Sequence, residues 1–545
     1  SILAELFDMN FSGVNVTSPY IGGGFGGKAD YTIEPLTAYI ASFVKGKPVK
    51  LLLEREEMFS GTLMGRGSHA IVKTGVKKDG TITAWHTDIV INAGAYGNYC
   101  INIIMGAARS SCGVYSIPNI RIDAKSVYTN LPINGAYRAY GHPEGHWGAE
   151  RQMDIIAREM NFDPVNFRLQ NILKPGDVYI TGIEIEEENG NLRECIQKTA
   201  EAMGFNSSTQ KPNETNSETK AQTSKDRFVR GKGIAAFVKT PAMAVNKPSS
   251  ARITFNEDCS ASIQVGAVDM GQGSAAALTQ IAAETLLIPP EKIRFTFTVN
   301  TELHPIDWQT VASRTTWMCG NAVMTACRKA IADIKELAAR IWNIENPDTI
   351  EYDGEKVSIK ERNLSLPLRD LVMGYTLPDG VLIGGPICAT ANFYPEKAEM
   401  TFGCQGAEVT IDRKYGTVTV NRLVTAVDVG RVINPMAARG QIIGAAIQGI
   451  GPVLSEKIRF SPDGAILNAN FHLYKVPRLN IAKDIKTEVI FIETPQKDGP
   501  YGARALAEHG IVSVAPAVAN AIYDAAAINI NHLPASSEDL TSGLS

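Results

Sequence analysis

The stretch Ile21-Gly22-Gly23-Gly24-Phe25-Gly26-Gly27-Lys28 restricts this chain more than any other, because five of six consecutive positions are glycine. Without Cβ atoms the main chain can turn through conformations closed to other residues, and its N–H groups can approach an oxyanion or a flat cofactor. Gly22-x-Gly24-x-x-Gly27 has the spacing of the dinucleotide fingerprint, which needs a preceding strand and an acid about 20 residues on to hold a ribose. The first suitable acid, Glu54, comes late. Gly22-x4-Gly27-Lys28 is nearly a phosphate-binding loop, but Ala29 stands where a magnesium-binding Ser or Thr belongs. A plain glycine turn fits equally well, so the rest of the chain must separate the readings.

A length of 545 residues allows two to four domains, each with its own core. The composition, 44% hydrophobic and 20% charged, is that of a globular protein, and no apolar run nears the length of a membrane span. A net charge of −4 provides no basic field for nucleic acid or for an anionic membrane surface. Small neutral or anionic molecules remain as partners. The eight cysteines are scattered without a CxxC pair, which leaves no ligand set for zinc or an iron–sulfur cluster. They read as small buried hydrophobes of a protein in a reducing cytoplasm.

Residues 206–226 contain one alanine and no larger apolar residue, the composition of a solvated linker. The chain is thereby divided into residues 1–205, a linker over 206–228, and residues 229–545. Asp79-Gly80 between two alternating runs marks a hairpin, and Arg252–Phe255 with Ser262–Val265 and Glu408–Ile411 with Val418–Leu423 form similar pairs. Helical spacing of apolar residues predicts helices over Tyr31–Val44, Trp147–Met160, Ala275–Leu287, Asn321–Trp342 and Val514–Ala527. Hairpins interspersed with long helices point to α+β domains rather than a regularly wound parallel sheet. That disfavours the dinucleotide reading of the glycines.

Four further stretches could carry chemistry. In Met270-Gly271-Gln272-Gly273, glycines bare the backbone around an amide that both donates and accepts, at the junction of a strand and a helix. In Ala312-Ser313-Arg314-Thr315-Thr316, hydroxyls cluster at a helix start, where N–H groups attract anions. Asn434-Pro435 opens a helix of small residues that includes Gln441. Glu508 stands among Ala and Gly, where desolvation would raise its pKa and make it a base near neutrality; a helix-capping Glu is the alternative.

Taken in order with Thr129-Asn130-Leu131-Pro132, Gly135-Ala136-Tyr137-Arg138 and Asp428-Val429-Gly430-Arg431-Val432-Ile433-Asn434-Pro435, these landmarks resemble the molybdenum-binding subunit of the xanthine oxidase family. The resemblance implies two large mixed α/β molybdopterin-binding domains. It also implies a preceding hammerhead domain that this chain lacks, so that a separate N-terminal fragment or a longer polypeptide is expected. It implies molybdenum held by a pterin dithiolene and not directly by side chains, in a cofactor expected in its cytosine dinucleotide form. Gly24, Phe25, Gly26, Arg138, Gly271, Gln272, Gly273 and Gln441 would contact that cofactor, with Ser313 and Thr315 on its phosphates and Arg314 compensating charge. Glu508 would be the catalytic base, and Ala29, Tyr140, His142 and His509 would border the substrate.

Three departures from the family pattern narrow the substrate. Ala139 stands where carbon monoxide dehydrogenases carry a metal-binding Cys, Ala29 replaces the acid of xanthine enzymes, and Gly106 is the nearest match to the arginine that faces that acid. The reaction implied is hydroxylation of an electron-poor carbon of an N-heteroaromatic or aldehyde by water-derived oxygen. Iron–sulfur and FAD subunits would carry the electrons away. Reductive dehydroxylation, as in 4-hydroxybenzoyl-CoA reductase, and a cofactor-free scaffold are the alternatives.

Overall fold

A computed structural model describes residues 2–44, 46–205, 226–241, 247–397 and 399–542. The expected linker therefore lies almost wholly outside the described residues. Its last residue, Phe228, already belongs to the strand Phe228–Lys239.

The expected helices are present and differ mainly at their starts. They span Glu34–Phe43, His142–Glu159, Ser274–Leu286, Thr315–Trp342 and Val514–Ala526. Thr315–Trp342 begins six residues before the apolar spacing does, because Thr315, Trp317, Met318 and Cys319 are themselves buried. The three hairpins pair antiparallel as expected, and all three of their sheets also contain parallel neighbours, giving mixed sheets among long helices. The largest sheet has the order Lys486–Ile492, Thr417–Asp428, Thr401–Asp412 and Phe228–Lys239. No helix is long and apolar enough to cross a membrane among the described residues.

The segment before residue 206 does not bury its apolar residues alone. Trp85, Phe167 and Ile196 share one core with Ile234, Phe402 and Cys404 of the large sheet. A fully buried ion pair fastens this junction: Arg168 Nε lies 2.8 Å from Glu150 Oε2. The same carboxylate accepts from the Ala236 N–H at 3.0 Å and from the Tyr115 hydroxyl.

What places the site is the packing of the helix Val514–Ala526 on the strand Phe228–Lys239. A Cβ at Gly231 would strike the backbone of Ala521 and Ala525, and one at Gly233 would strike that of Ala517 and Ala521. The two glycines therefore let helix and strand backbones touch. Running antiparallel, the pair continues through Asn520 Nδ2 donating to the Ile234 carbonyl (3.1 Å) and Ser513 Oγ donating to the Ala236 carbonyl (2.9 Å). At its far end stand Glu508, before the helix, and Lys239, closing the strand.

Replacing Arg168 by Met would leave Glu150 buried without its counter-charge, a change that typically costs about 3–5 kcal/mol. Urea unfolding of the Arg168→Met chain should show a midpoint lowered to match. An unchanged midpoint would mean that the pair does not hold the junction.

Candidate active site

Gly23–Gly26 and Lys28 of the glycine stretch, Ala136–Arg138 with Tyr140, Met270–Gly273, Ser313, Thr315, Thr316, Gln441 and Glu508 all line one cavity of about 500 Å³. Segments almost 500 residues apart in sequence thus meet at one place. Gly26 fits against the main chain of Ala136 and Tyr137 with φ near +110°, leaving no room for a side chain. Gly271, at φ +96°, has open space where a Cβ would be, so its bare backbone faces the cavity. Both conformations favour glycine strongly.

Both oxygens of the Glu508 carboxylate are held. Ala139 N–H donates to Oε1 at 2.8 Å, and Ser313 Oγ donates to Oε2 at 3.2 Å. Lys239 Nζ lies 3.1 Å from the same Oε2, and this ammonium is only 1% exposed. The Ser313 hydroxyl also accepts from the Glu508 N–H at 3.0 Å. The two loops that present these donors are in unusual conformations: Ala139 and Tyr140 have φ of 75° and 51°, Ala312 and Ser313 of 55° and 63°. Non-glycine residues held there cost on the order of 1–3 kcal/mol each, and such strain concentrates at functional sites.

This geometry corrects the expected basicity of Glu508. Burial does push its carboxyl up, but the Lys239 ammonium, the Ala139 N–H and the Arg138 guanidinium outweigh burial and hold it below the ordinary value. The carboxylate is therefore ionised at neutral pH, and Lys239, absent from the residues singled out in the sequence, is its chief partner. A lone Lys ending the apolar run Gly233-Ile234-Ala235-Ala236-Phe237-Val238 was the available signal.

Other expected contacts divide. Arg138 donates to Gln441 Oε1 (3.2 Å), Gln448 Oε1 (3.3 Å) and the Ala507 carbonyl (2.5 Å), and lies over the Phe25 ring. Gln272 lines the cavity with its amide folded into its own loop, Oε1 accepting from Met270 N–H and Nε2 donating to the Val268 carbonyl. Thr315 lines the cavity at the start of its helix, whereas the Ser313 hydroxyl is turned to Glu508 rather than standing free for a phosphate. Arg314 does not line the cavity. It is 1% exposed and is taken up by Asp307, Ser249 and the carbonyls of Gln309 and Lys247.

On the substrate side Ala29 and Tyr140 line the cavity, and Tyr140 meets Tyr99 edge to face at 6.2 Å. His142 lines it too, with Nδ1 on the Ala139 carbonyl and Nε2 at the Thr240 hydroxyl, and burial keeps it neutral. His146 follows His142 by one helical turn, a spacing that can ligate a metal. Its Nε2, however, faces the Val238 main chain. No group of three or more metal-binding side chains comes together among the described residues. His509 is a correction: it is fully buried behind Glu508 beside Phe237 and does not reach the cavity.

Six cationic side chains line the cavity (Lys28, Arg109, Arg138, Lys239, Arg431 and Arg504) against the single carboxylate of Glu508. No carboxylate among the described residues pairs with Lys28, Arg109 or Arg431. Bare glycine backbone beside unpaired cations fits a flat, phosphate-bearing pterin, and Gly24, Gly26, Gly271, Gln272, Gly273 and Gln441 would hold it.

Removing Lys239 should reverse the balance at Glu508. In Lys239→Met, burial would dominate and raise the carboxyl above its ordinary value. Infrared titration of the carboxylate band, with Glu508→Gln as the blank, reads this directly. A band that titrates as in the native chain would show that the ammonium does not set it.

Two family models, each described as a molybdopterin cofactor-binding domain, match residues 1–172 and 198–482. The chain is 30% identical over 543 residues to the xanthine dehydrogenase molybdenum-binding subunit of Escherichia coli O157:H7, covering 98% of this chain and 70% of that one. It is 27% identical to the 6-hydroxypseudooxynicotine dehydrogenase complex subunit gamma of Paenarthrobacter nicotinovorans, covering 99% of this chain and 68% of that one. Its fold matches the solved structure of reconstituted CO dehydrogenase from Oligotropha carboxidovorans with a TM-score of 0.88 at 25% identity, over 99% of this chain and 69% of that one. The chain belongs to the molybdenum-cofactor-binding subunits of the xanthine oxidase family, and is a molybdenum-dependent oxidoreductase.

Proposed function

We propose that this subunit hydroxylates an electron-poor carbon of an N-heteroaromatic or aldehyde substrate, with oxygen derived from water and Glu508 as the base. The observation that carries the reading is the carboxylate itself: ionised, fixed through both oxygens, and the only acid among the described residues on a cavity lined by glycine backbone and cations. When bound, the molybdenum cofactor supplies the two-electron redox chemistry. Glu508 takes the proton released as oxygen is delivered to the substrate carbon. The Lys239 ammonium keeps the carboxylate deprotonated before that step and favours release of the proton after it. Tyr140 and Tyr99 offer ring edges to a planar substrate. Ala139 in place of a metal-binding Cys, and Ala29 and Gly106 in place of an acid–arginine pair, speak for a substrate other than carbon monoxide or a purine.

The unpaired Arg431 and Lys28 support a phosphate-bearing cofactor tail, which we assign to the cytosine dinucleotide form. Iron–sulfur and FAD subunits in the cytoplasm complete the electron path in this reading. The naming of one relative as a subunit of a dehydrogenase complex supports it.

Glu508→Gln keeps size and one hydrogen bond but removes basicity, so turnover should fall about 10²-fold or more while molybdenum content stays near native. A variant with a tenth of native turnover would take Glu508 out of the role. Arg431→Gln removes an exposed charge without touching a core. If that charge holds a phosphate, cofactor affinity should fall about tenfold, the worth of one charge-assisted hydrogen bond. Molybdenum and pterin per folded chain would both drop. Full loading of the variant would place the phosphate elsewhere.

A further inference from the structure

The helix Cys100–Ser110 turns one stripe toward the cavity: Asn102, Met105, Gly106 and Arg109, at the i, i+3, i+4, i+7 spacing of a helical face. Gly106 lies so close beneath the Tyr140 carbonyl that any side chain there would collide with main chain. The wall can therefore carry no cation at Gly106, and it carries one a turn later, at Arg109.

Arg109 is half-buried, and its guanidinium has neither a hydrogen-bond acceptor nor an ion-pair partner among the described residues. The hydrogen bond this residue does make is through its backbone carbonyl, which accepts from the buried Tyr179 hydroxyl. Structural arginines of this site look different. Arg138, Arg314 and Arg504 each have several protein acceptors. Nor does Glu508 serve Arg109: its carboxylate is engaged by Ala139, Ser313 and Lys239, and no ion pair joins the two among the described residues. A guanidinium without a protein partner, on a cavity whose one acid among the described residues is already engaged, is open to an anion.

We propose that Arg109 binds a carboxylate on the substrate, so that the preferred substrates are ring carboxylates rather than neutral rings. This rests on the hydroxylase reading above. The planar five-donor guanidinium matches a carboxylate in a paired, two-hydrogen-bond geometry. The same wall supplies the ring's surroundings: Met105, and Tyr140 whose hydroxyl hydrogen-bonds Asn102 while its ring meets Tyr99.

The test uses the assembled holoenzyme and a paired panel: pyridine, quinoline and benzaldehyde carboxylates, each beside its carboxamide. Calorimetry gives Kd for compounds not turned over, and dye reduction gives KM and kcat for the rest. The native enzyme should prefer the carboxylate of the best pair by about tenfold or more, the value of a charge-assisted hydrogen bond. In Arg109→Met that preference should vanish, with the loss in Kd or KM for the carboxylate, and Arg109→Lys should restore part of it. Equal affinity for both members of every pair in the native enzyme would overturn the proposal. So would an equal loss for both in Arg109→Met, or loss of partner subunits or molybdenum from that variant without a change of preference. Turnover of carboxamides as readily as carboxylates would leave the hydroxylase reading standing and remove only the role of Arg109. Oxidation of no ring compound by molybdenum-loaded enzyme would remove both.

Discussion

The site depends on two backbones being allowed to touch. Gly231 and Gly233 bring the strand Phe228–Lys239 against the helix Val514–Ala526, and the contact is extended toward the cavity by hydrogen bonds from Asn520 and Ser513 to strand carbonyls. Because strand and helix run antiparallel, the end of one meets the start of the other. The loop before the helix carries Glu508 there, and the strand ends in Lys239. Moving the helix outward by the thickness of a methyl group would separate a carboxylate and an ammonium that are now 3.1 Å apart. An isolated lysine in that place would be a buried, uncompensated charge. The scaffold and the chemistry are thus set by the same contact.

Around that pair the protein has arranged donors rather than apolar walls. The N–H of Ala139 and the hydroxyl of Ser313 reach different oxygens of Glu508, each from a loop with two successive left-handed residues. Relaxing either loop would withdraw its donor, so the strain and the hydrogen bonds stand or fall together. Such a carboxylate cannot reorient freely. Its proton affinity is set by fixed neighbours and is not left to solvent.

Local features were readable in the sequence for local reasons. Hairpin turns and apolar periodicity placed the strands and the long helices, since both follow from neighbours within a few residues. The glycine motifs converge because glycine is informative wherever backbone must face open space or other backbone, as at Gly26 and Gly271. What failed was charge. Arg314 sits in a phosphate-like motif, yet Asp307, seven residues earlier, and Ser249, from another sheet, claim it. His509 neighbours Glu508 in sequence, but in the turn that follows it faces the opposite way, into the core beside Phe237. The basicity of Glu508 was misjudged because desolvation is legible from apolar neighbours, whereas a counter-charge arriving from 269 residues away is not.

The charges lining the cavity show how one space could serve two anions. Of six cations, Arg138 and Arg504 are spent on protein carbonyls and amides, and Lys239 on Glu508. The three that remain come from three separate elements: Lys28 after the glycine stretch, Arg431 before the helix Pro435–Leu454, and Arg109 on the helix Cys100–Ser110. Lys28 and Arg431 adjoin the two segments rich in bare or small residues, where a flat cofactor with a phosphate can come close. Arg109 shares its wall with Asn102, Met105 and the Tyr99–Tyr140 pair, side chains suited to enclosing a ring. Divided in this way, the charges would give the proposed cofactor tail Lys28 and Arg431 and leave the Arg109 guanidinium for the proposed substrate carboxylate.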